Sequence, residues 1–201
     1  MIRGLKAPSF MDLALKTAEN AGKAGEVPIG CVVVRNYEVI ATAANRTLTD
    51  YDPTAHAEIV ALREAARKIG SERLVDCDLY VTLEPCTMCA GAISFARVRR
   101  LYYGAADPKG GAVESGVRFF TSPTCHHVPD VYSGVGESES ARLLKDFFRE
   151  RRLVPPRHAR EGGHPVRRSL SIPSPALWNT GSSAFADGGV WAYVRWITAS
   201  P

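Results

Sequence analysis

Two short segments concentrate the residues able to do chemistry: His56-Ala57-Glu58 and Pro85-Cys86-Thr87-Met88-Cys89. Two cysteines separated by two residues at a helix start can aim both sulfurs at one ion, and the positive end of the helix dipole favours thiolate there. A catalytic zinc needs three protein ligands and an open fourth position, and His56 is a suitable third. No second Cys-x-x-Cys occurs, so a four-thiolate structural site does not fit. Glu58 follows His56 by two residues on the same helix, about 200° around its axis. It therefore cannot ligate the ion as His56 does. Its carboxylate is expected beside the open position, where it would shuttle a proton of a zinc-activated water. That is hydrolytic machinery. The competing reading is a Cys86/Cys89 dithiol in a redox or non-enzymatic protein, with no metal and no role for Glu58.

These residues need helices that start at one sheet edge, and the chain supplies them. Ser9 with Asp12 reads as a capped helix start, carrying Met11, Leu15 and Ala18, with Leu13 and Leu5 nearby, and ending near Gly22 to Gly25. Ile29 to Val34 is a β-branched run, turned by Asn36-Tyr37 into a second strand, Glu38 to Ala44. Ala55 to Ile69 has helical periodicity and stops at Gly70. Asp78 to Leu83 is a third strand, and Pro85 favours the first turn of a helix over Cys86 to Ala96. Arg100 to Gly104 and Val131 to Val135 follow as strands. Glu137 to Arg152 is a final helix with Ala141, Leu144, Phe147 and Phe148 as its apolar stripe. This order predicts an α/β domain of three layers with a mixed sheet of five strands.

Composition sets the outer limits. In 201 residues, 25 Lys+Arg face 21 Asp+Glu, and 45% are apolar, which excludes a disordered, collagen-like or coiled-coil chain. Residues 1–152 carry 20 basic and 19 acidic side chains, against 5 and 2 in residues 153–201. The latter stretch also holds 6 of the 13 Pro and all three Trp. We therefore expect a catalytic domain over 1–152 and a poorly ordered Pro/Gly/Ser-rich extension over 153–201. A net charge of +1 over the domain does not itself announce a nucleic-acid binder. The N-terminus lacks an apolar leader and no apolar run approaches membrane length, so a cytoplasmic protein is expected. Cys31 and Cys77 read as inert, and Cys125-His126-His127 as a loop, since adjacent histidines rarely converge on one ion.

His-Ala-Glu, 26 residues, then Pro-Cys-x-x-Cys resembles the established signature of the cytidine-deaminase-like zinc deaminases. Asp52 to Ile59, Tyr80 to Ile93, Tyr103 to Ala112 and Phe147 to Arg152 are similar to segments of the bacterial tRNA adenosine deaminases. The resemblance spans roughly residues 8–152. It implies the cytidine-deaminase-like three-layer fold, one Zn2+ per subunit on His56, Cys86 and Cys89, and Glu58 as proton shuttle. It further implies hydrolysis of adenosine to inosine at the wobble position of an anticodon loop, whose unpaired bases can be splayed into a pocket. Asn45 would then hydrogen-bond the base, with Ala57 closing the pocket. Asp107 and Lys109 would lie near flanking nucleotides, and Phe148, Arg149, Arg151 and Arg152 would meet the RNA. An arginine tRNA and a homodimer follow by the same resemblance. The alternative is a zinc deaminase of a free base or nucleoside, of guanine or cytosine type, sharing the same motif. Asn45 and Asp107 could also be plain turn residues, and the arginines a solvated helix end.

Overall fold

The structure, a computed structural model, describes residues 9–153. Helix α1 (Phe10–Lys23) opens on the expected capping box, Ser9 and Asp12 each bonding the other's backbone N–H. Strands β1 (Gly30–Arg35) and β2 (Glu38–Ala44) form a hairpin. Asn36 and Tyr37 both take positive φ, 49° and 62°, as a tight two-residue turn requires. Helix α2 (Ala57–Ile69), strand β3 (Cys77–Leu83), helix α3 (Thr87–Ala96), strands β4 (Arg100–Ala105) and β5 (Asp130–Tyr132), and helix α4 (Glu137–Leu153) follow. A single 3₁₀ turn, Phe119–Thr121, lies between β4 and β5.

The mixed five-stranded sheet has the order β2-β1-β3-β4-β5. β1 is antiparallel to both neighbours, and β3, β4 and β5 are parallel. Alternate residues of β1 sort to the two faces. Val32 and Val34 join Met11 and Ala14 of α1, whereas Cys31 and Val33 join the core beneath α2 and α3. On the α1 side three tyrosines stack across the parallel strands, with centroids 4.4 Å apart for Tyr80/Tyr102 and 4.7 Å for Tyr102/Tyr132. Among the described residues no helix is long and apolar enough to cross a membrane.

Two expected elements shift. The buried stripe of α1 is Met11, Ala14, Ala18 and Ala21, not Leu13 and Leu15. The reason is Gly30, where a Cβ would stand 2.7 Å from the backbone nitrogen of Ala18 and collide with the carbonyl of Ala14. Helix and strand touch backbone to backbone, so only small side chains fit between them. On α4 the fully buried positions are Ser140, Leu144 and Phe148, at i, i+4, i+8, with Ala141 and Phe147 only half-buried. Residues 154–201, which carry nearly all of the expected extension, lie outside the described residues.

Topology assembles the site. β2, β3 and β4 run in one direction, so their carboxyl ends share an edge, the usual place for a ligand in an α/β sheet. Asn45 leaves β2, Glu84 to Cys86 leave β3 and Asp107 leaves β4 at that edge. The antiparallel β1 begins there.

Candidate active site

His56 is the N-cap of α2 and Cys86 the N-cap of α3, each with extended backbone and no side-chain cap bond. Pro85 therefore precedes the cap rather than opening the helix. With no cap bond made, both side chains are available to each other. The His56 Nδ1 atom lies 3.6 Å from the Cys86 sulfur and 3.5 Å from the Cys89 sulfur, and the three ligand atoms fall within 4.8 Å of one another. They are the one group among the described residues able to hold a metal ion.

The donor set suits zinc. With Zn–N near 2.05 Å and Zn–S near 2.3 Å, a tetrahedral N···S edge is about 3.6 Å. Both observed edges match it. The hydrogen bond from Cys89 holds the Cys86 thiol down at about 4, burial opposing and His56 assisting. The same bond, with burial, pushes Cys89 up. Bonding to Cys86 raises His56.

Glu58, two residues into α2, is 4% exposed and packed beside these ligands. Burial pushes its carboxyl upward, while a hydrogen bond from its own backbone N–H pulls the other way. Ala57 is fully buried at the first helical position. Asn45 is buried, its amide nitrogen 3.0 Å from Glu26 Oε2 and 3.1 Å from Thr47 Oγ1. Asp107 is 8% exposed and accepts the N–H groups of Lys109 and Gly110 as a turn former, leaving Lys109 exposed.

The α4 residues divide. Phe148 is 3% exposed, its ring edge-on to Phe147, so its side chain is committed to packing and is not offered to a ligand. Its spacing with Leu144 places it on the inner face. Arg149 and Arg151 are exposed, Arg149 pairing with Asp146 at 2.8 Å, and the side chain of Arg152 lies outside the described residues. Arg99 and Arg100 are engaged by acidic residues of the sheet. Arg99 makes two 2.9 Å bonds to Asp78, and Arg100 lies between Asp78 and Asp130. Cys31 is buried and pushed well up by that burial, and Cys77 is buried at the start of β3. Cys125 and His127 close a loop on Ser94, with His127 Nε2 2.7 Å from the Val98 carbonyl oxygen.

Glu84 is a residue that type and spacing did not single out. It is 2% exposed and accepts the backbone N–H groups of Asp107, Val113, Glu114 and Ser115. Burial pushes its carboxyl up, but these donors outweigh burial and leave it lowered. It thereby folds the segment carrying Asp107 onto the segment carrying Cys86. A Cβ on Gly111 would stand 2.5 Å from the Glu84 carboxylate, so glycine is required at that approach. A charged residue closing the apolar run Leu79 to Leu83 was the available signal, since such a group needs donors when buried.

Fold and site define a zinc-dependent deaminase, and comparison with known proteins agrees. The family model for the cytidine and deoxycytidylate deaminase zinc-binding region matches residues 6–105. A tRNA-specific adenosine deaminase of Agrobacterium fabrum is 67% identical over 144 residues, covering 72% of this chain and 95% of that protein. The Bacillus subtilis protein of the same name is 45% identical over 71% of this chain and 89% of its own. A structure from studies of A-to-I editing by tRNA:A34 deaminases at the wobble position aligns at 67% identity with a TM-score of 0.66. It covers 67% of this chain and 98% of that one. A guanine deaminase from Nitrosomonas europaea shares the fold at 24% identity and TM-score 0.61, over 72% of this chain and 86% of that one. The chain belongs to the tRNA-specific adenosine deaminase family. The redox dithiol reading falls with that assignment.

Proposed function

We propose that this protein hydrolyses adenosine to inosine at position 34, the wobble position, of a tRNA anticodon loop, releasing ammonia. The observation that carries the reading is 67% identity to a named tRNA-specific adenosine deaminase over 95% of its length. Convergence of His56, Glu58, Cys86 and Cys89 at one edge supports it.

His56, Cys86 and Cys89 hold the zinc. Bound there, zinc supplies the Lewis acidity that makes water a nucleophile near neutral pH. Glu58 accepts the proton released as water attacks C6 of adenine, and delivers it to N1. It then takes the proton of the new C6 hydroxyl and passes it to the amino group, which leaves as ammonia when the C6–N bond breaks and the C6 carbonyl forms. Burial of Glu58 keeps bulk water from competing for that proton. Asn45 orients the base, and the buried Ala57 forms the wall against which the base is packed. Asp107 and Lys109 lie toward the flanking nucleotides, and Arg149, Arg151 and Arg152 bind phosphates along the end of α4. Phe148 serves this helix as its anchor.

Within the same proposal the substrate is an arginine tRNA, the site of action is the cytoplasm, and the working form is a homodimer. Half-exposed apolar residues on the outer faces of α2 and α3, Ala66, Ala92 and Ala96 with exposed Phe95, support a self-association surface. Residues 1–152 form the catalytic domain, and 153–201 are dispensable for turnover. Incubating the full chain with an A34 anticodon stem-loop, and separately with free guanine, cytosine and adenine, tests the reading. Inosine formed only in the stem-loop supports it. Turnover of a free base alone would transfer the protein to the other branch of the family.

A further inference from the structure

Glu26 lies just before β1 and Asn45 just after β2, so the antiparallel hairpin brings both to the catalytic edge. The backbone N–H of Arg46 then donates to the carbonyl of Ala55 at 2.9 Å, tying this segment to the residue preceding His56. Glu26 is 3% exposed and forms no salt bridge among the described residues. Its charge is met chiefly by hydrogen bonds, with the Arg46 guanidinium adding a longer-range attraction. Oε1 accepts Leu48 N–H at 2.9 Å, Thr49 N–H at 2.7 Å and the Thr49 hydroxyl at 2.9 Å. Oε2 accepts the Asn45 amide at 3.0 Å, with the Thr47 hydroxyl at 3.5 Å.

A carboxylate can only accept, whereas an asparagine amide has a donor end and an acceptor end. Glu26 therefore admits one of the two amide orientations of Asn45 and excludes the flipped one. The excluded orientation would set two oxygens against each other in a buried place. A base meeting Asn45 thus encounters a fixed order of donor and acceptor. We propose that Glu26 is a positioning residue for deamination, acting by fixing the amide orientation of Asn45. This rests on the reading of Asn45 as a base contact.

Glu26→Gln is a selective probe. Gln keeps one oxygen for the Leu48 and Thr49 N–H groups and turns its own NH₂ against that of Asn45. With the zinc-loaded full-length protein and the A34 stem-loop, kcat/KM is expected to fall roughly ten- to hundredfold, the loss of one charge-assisted bond. The fall should appear in kcat, with zinc content unchanged. The Glu26→Gln/Asn45→Ala double variant should be no slower than Asn45→Ala alone, because both remove the same interaction. Losses that add, or a Glu26→Gln protein within twofold of wild type, overturn the proposal while leaving the substrate assignment intact. A wild-type protein inactive on the stem-loop overturns both. If Glu26→Gln does not fold, wild-type NMR decides: protected Asn45 side-chain NH₂ protons support the lock, and rapid exchange overturns it.

Discussion

One oxygen of Glu84 accepts the backbone N–H of Ser115 at 2.8 Å, and the other accepts the hydroxyl of the same residue at 2.8 Å. This two-handed grip across 31 residues joins the zinc-ligand segment to the loop that follows β4. Glu84→Gln retains the shape but offers an NH₂ where Asp107 N–H and the Ser115 hydroxyl donate. We expect a loss of about 2–3 kcal/mol in denaturant unfolding. Unchanged stability would show that the grip is not an energetic one.

Glu58→Gln keeps the volume of the side chain and removes its capacity to carry a proton. Turnover on the stem-loop is expected to fall by about 10²–10⁴, with bound zinc unchanged by metal analysis. A variant that retains full rate would remove Glu58 from the mechanism.

Cys86→Ala and His56→Ala each leave two of three ligands. Zinc should drop from about one per chain toward zero, and the thermal midpoint should fall because metal bound only to the folded state stabilises it. Prolonged chelation of the wild type should reproduce both changes, and restored zinc should reverse them.

Of the three buried glutamates, Glu26 and Glu84 give stability an acid limb. Burial pushes the Glu26 carboxyl up, but the Thr49 N–H and hydroxyl, the Asn45 amide and the Leu48 N–H outweigh it, so its folded pKa lies below the unfolded value. Its contribution is therefore complete above the unfolded pKa, about 4.3, and disappears as pH falls through the lower folded value. Below pH about 4, stability of the wild type should decline more steeply than that of Glu26→Gln. Parallel declines would show that Glu26 is not the group titrating.

Gly30→Ala places a Cβ 2.7 Å from the Ala18 nitrogen. Overpacking of this kind costs about 1–3 kcal/mol, read as a lower unfolding midpoint. An unaffected midpoint would mean that α1 can lift from the sheet at no cost.

Much of this was legible in the chain. His56, Cys86 and Cys89 could be paired from residue type alone because few side chains bind zinc, and the edge they share followed from the order of strands and helices. The hairpin turn at Asn36-Tyr37 was equally open, since its neighbours are β-branched. Glu26 and Glu84 were not legible. Each looks like an ordinary surface charge until its donors, about 20 to 30 residues away, are folded around it. The α1 stripe was misjudged for a related reason. Larger apolar residues attract attention, but the close approach at Gly30 selects alanines. For Phe147 and Phe148, helical spacing leaves the choice of inner residue to a one-position rotation, which the packing of α4 settles.

The stacked tyrosines have an optical consequence. Tyr80, Tyr102 and Tyr132 form a chromophore array fixed to the parallel strands, whereas Trp178, Trp191 and Trp196 are all the tryptophans the chain possesses. All indole emission therefore comes from residues 154–201, while near-ultraviolet dichroism of the tyrosine array reads the sheet directly. The same chain carries two spectrally separable reporters, tyrosines in the sheet and tryptophans confined to residues 154–201, without any label.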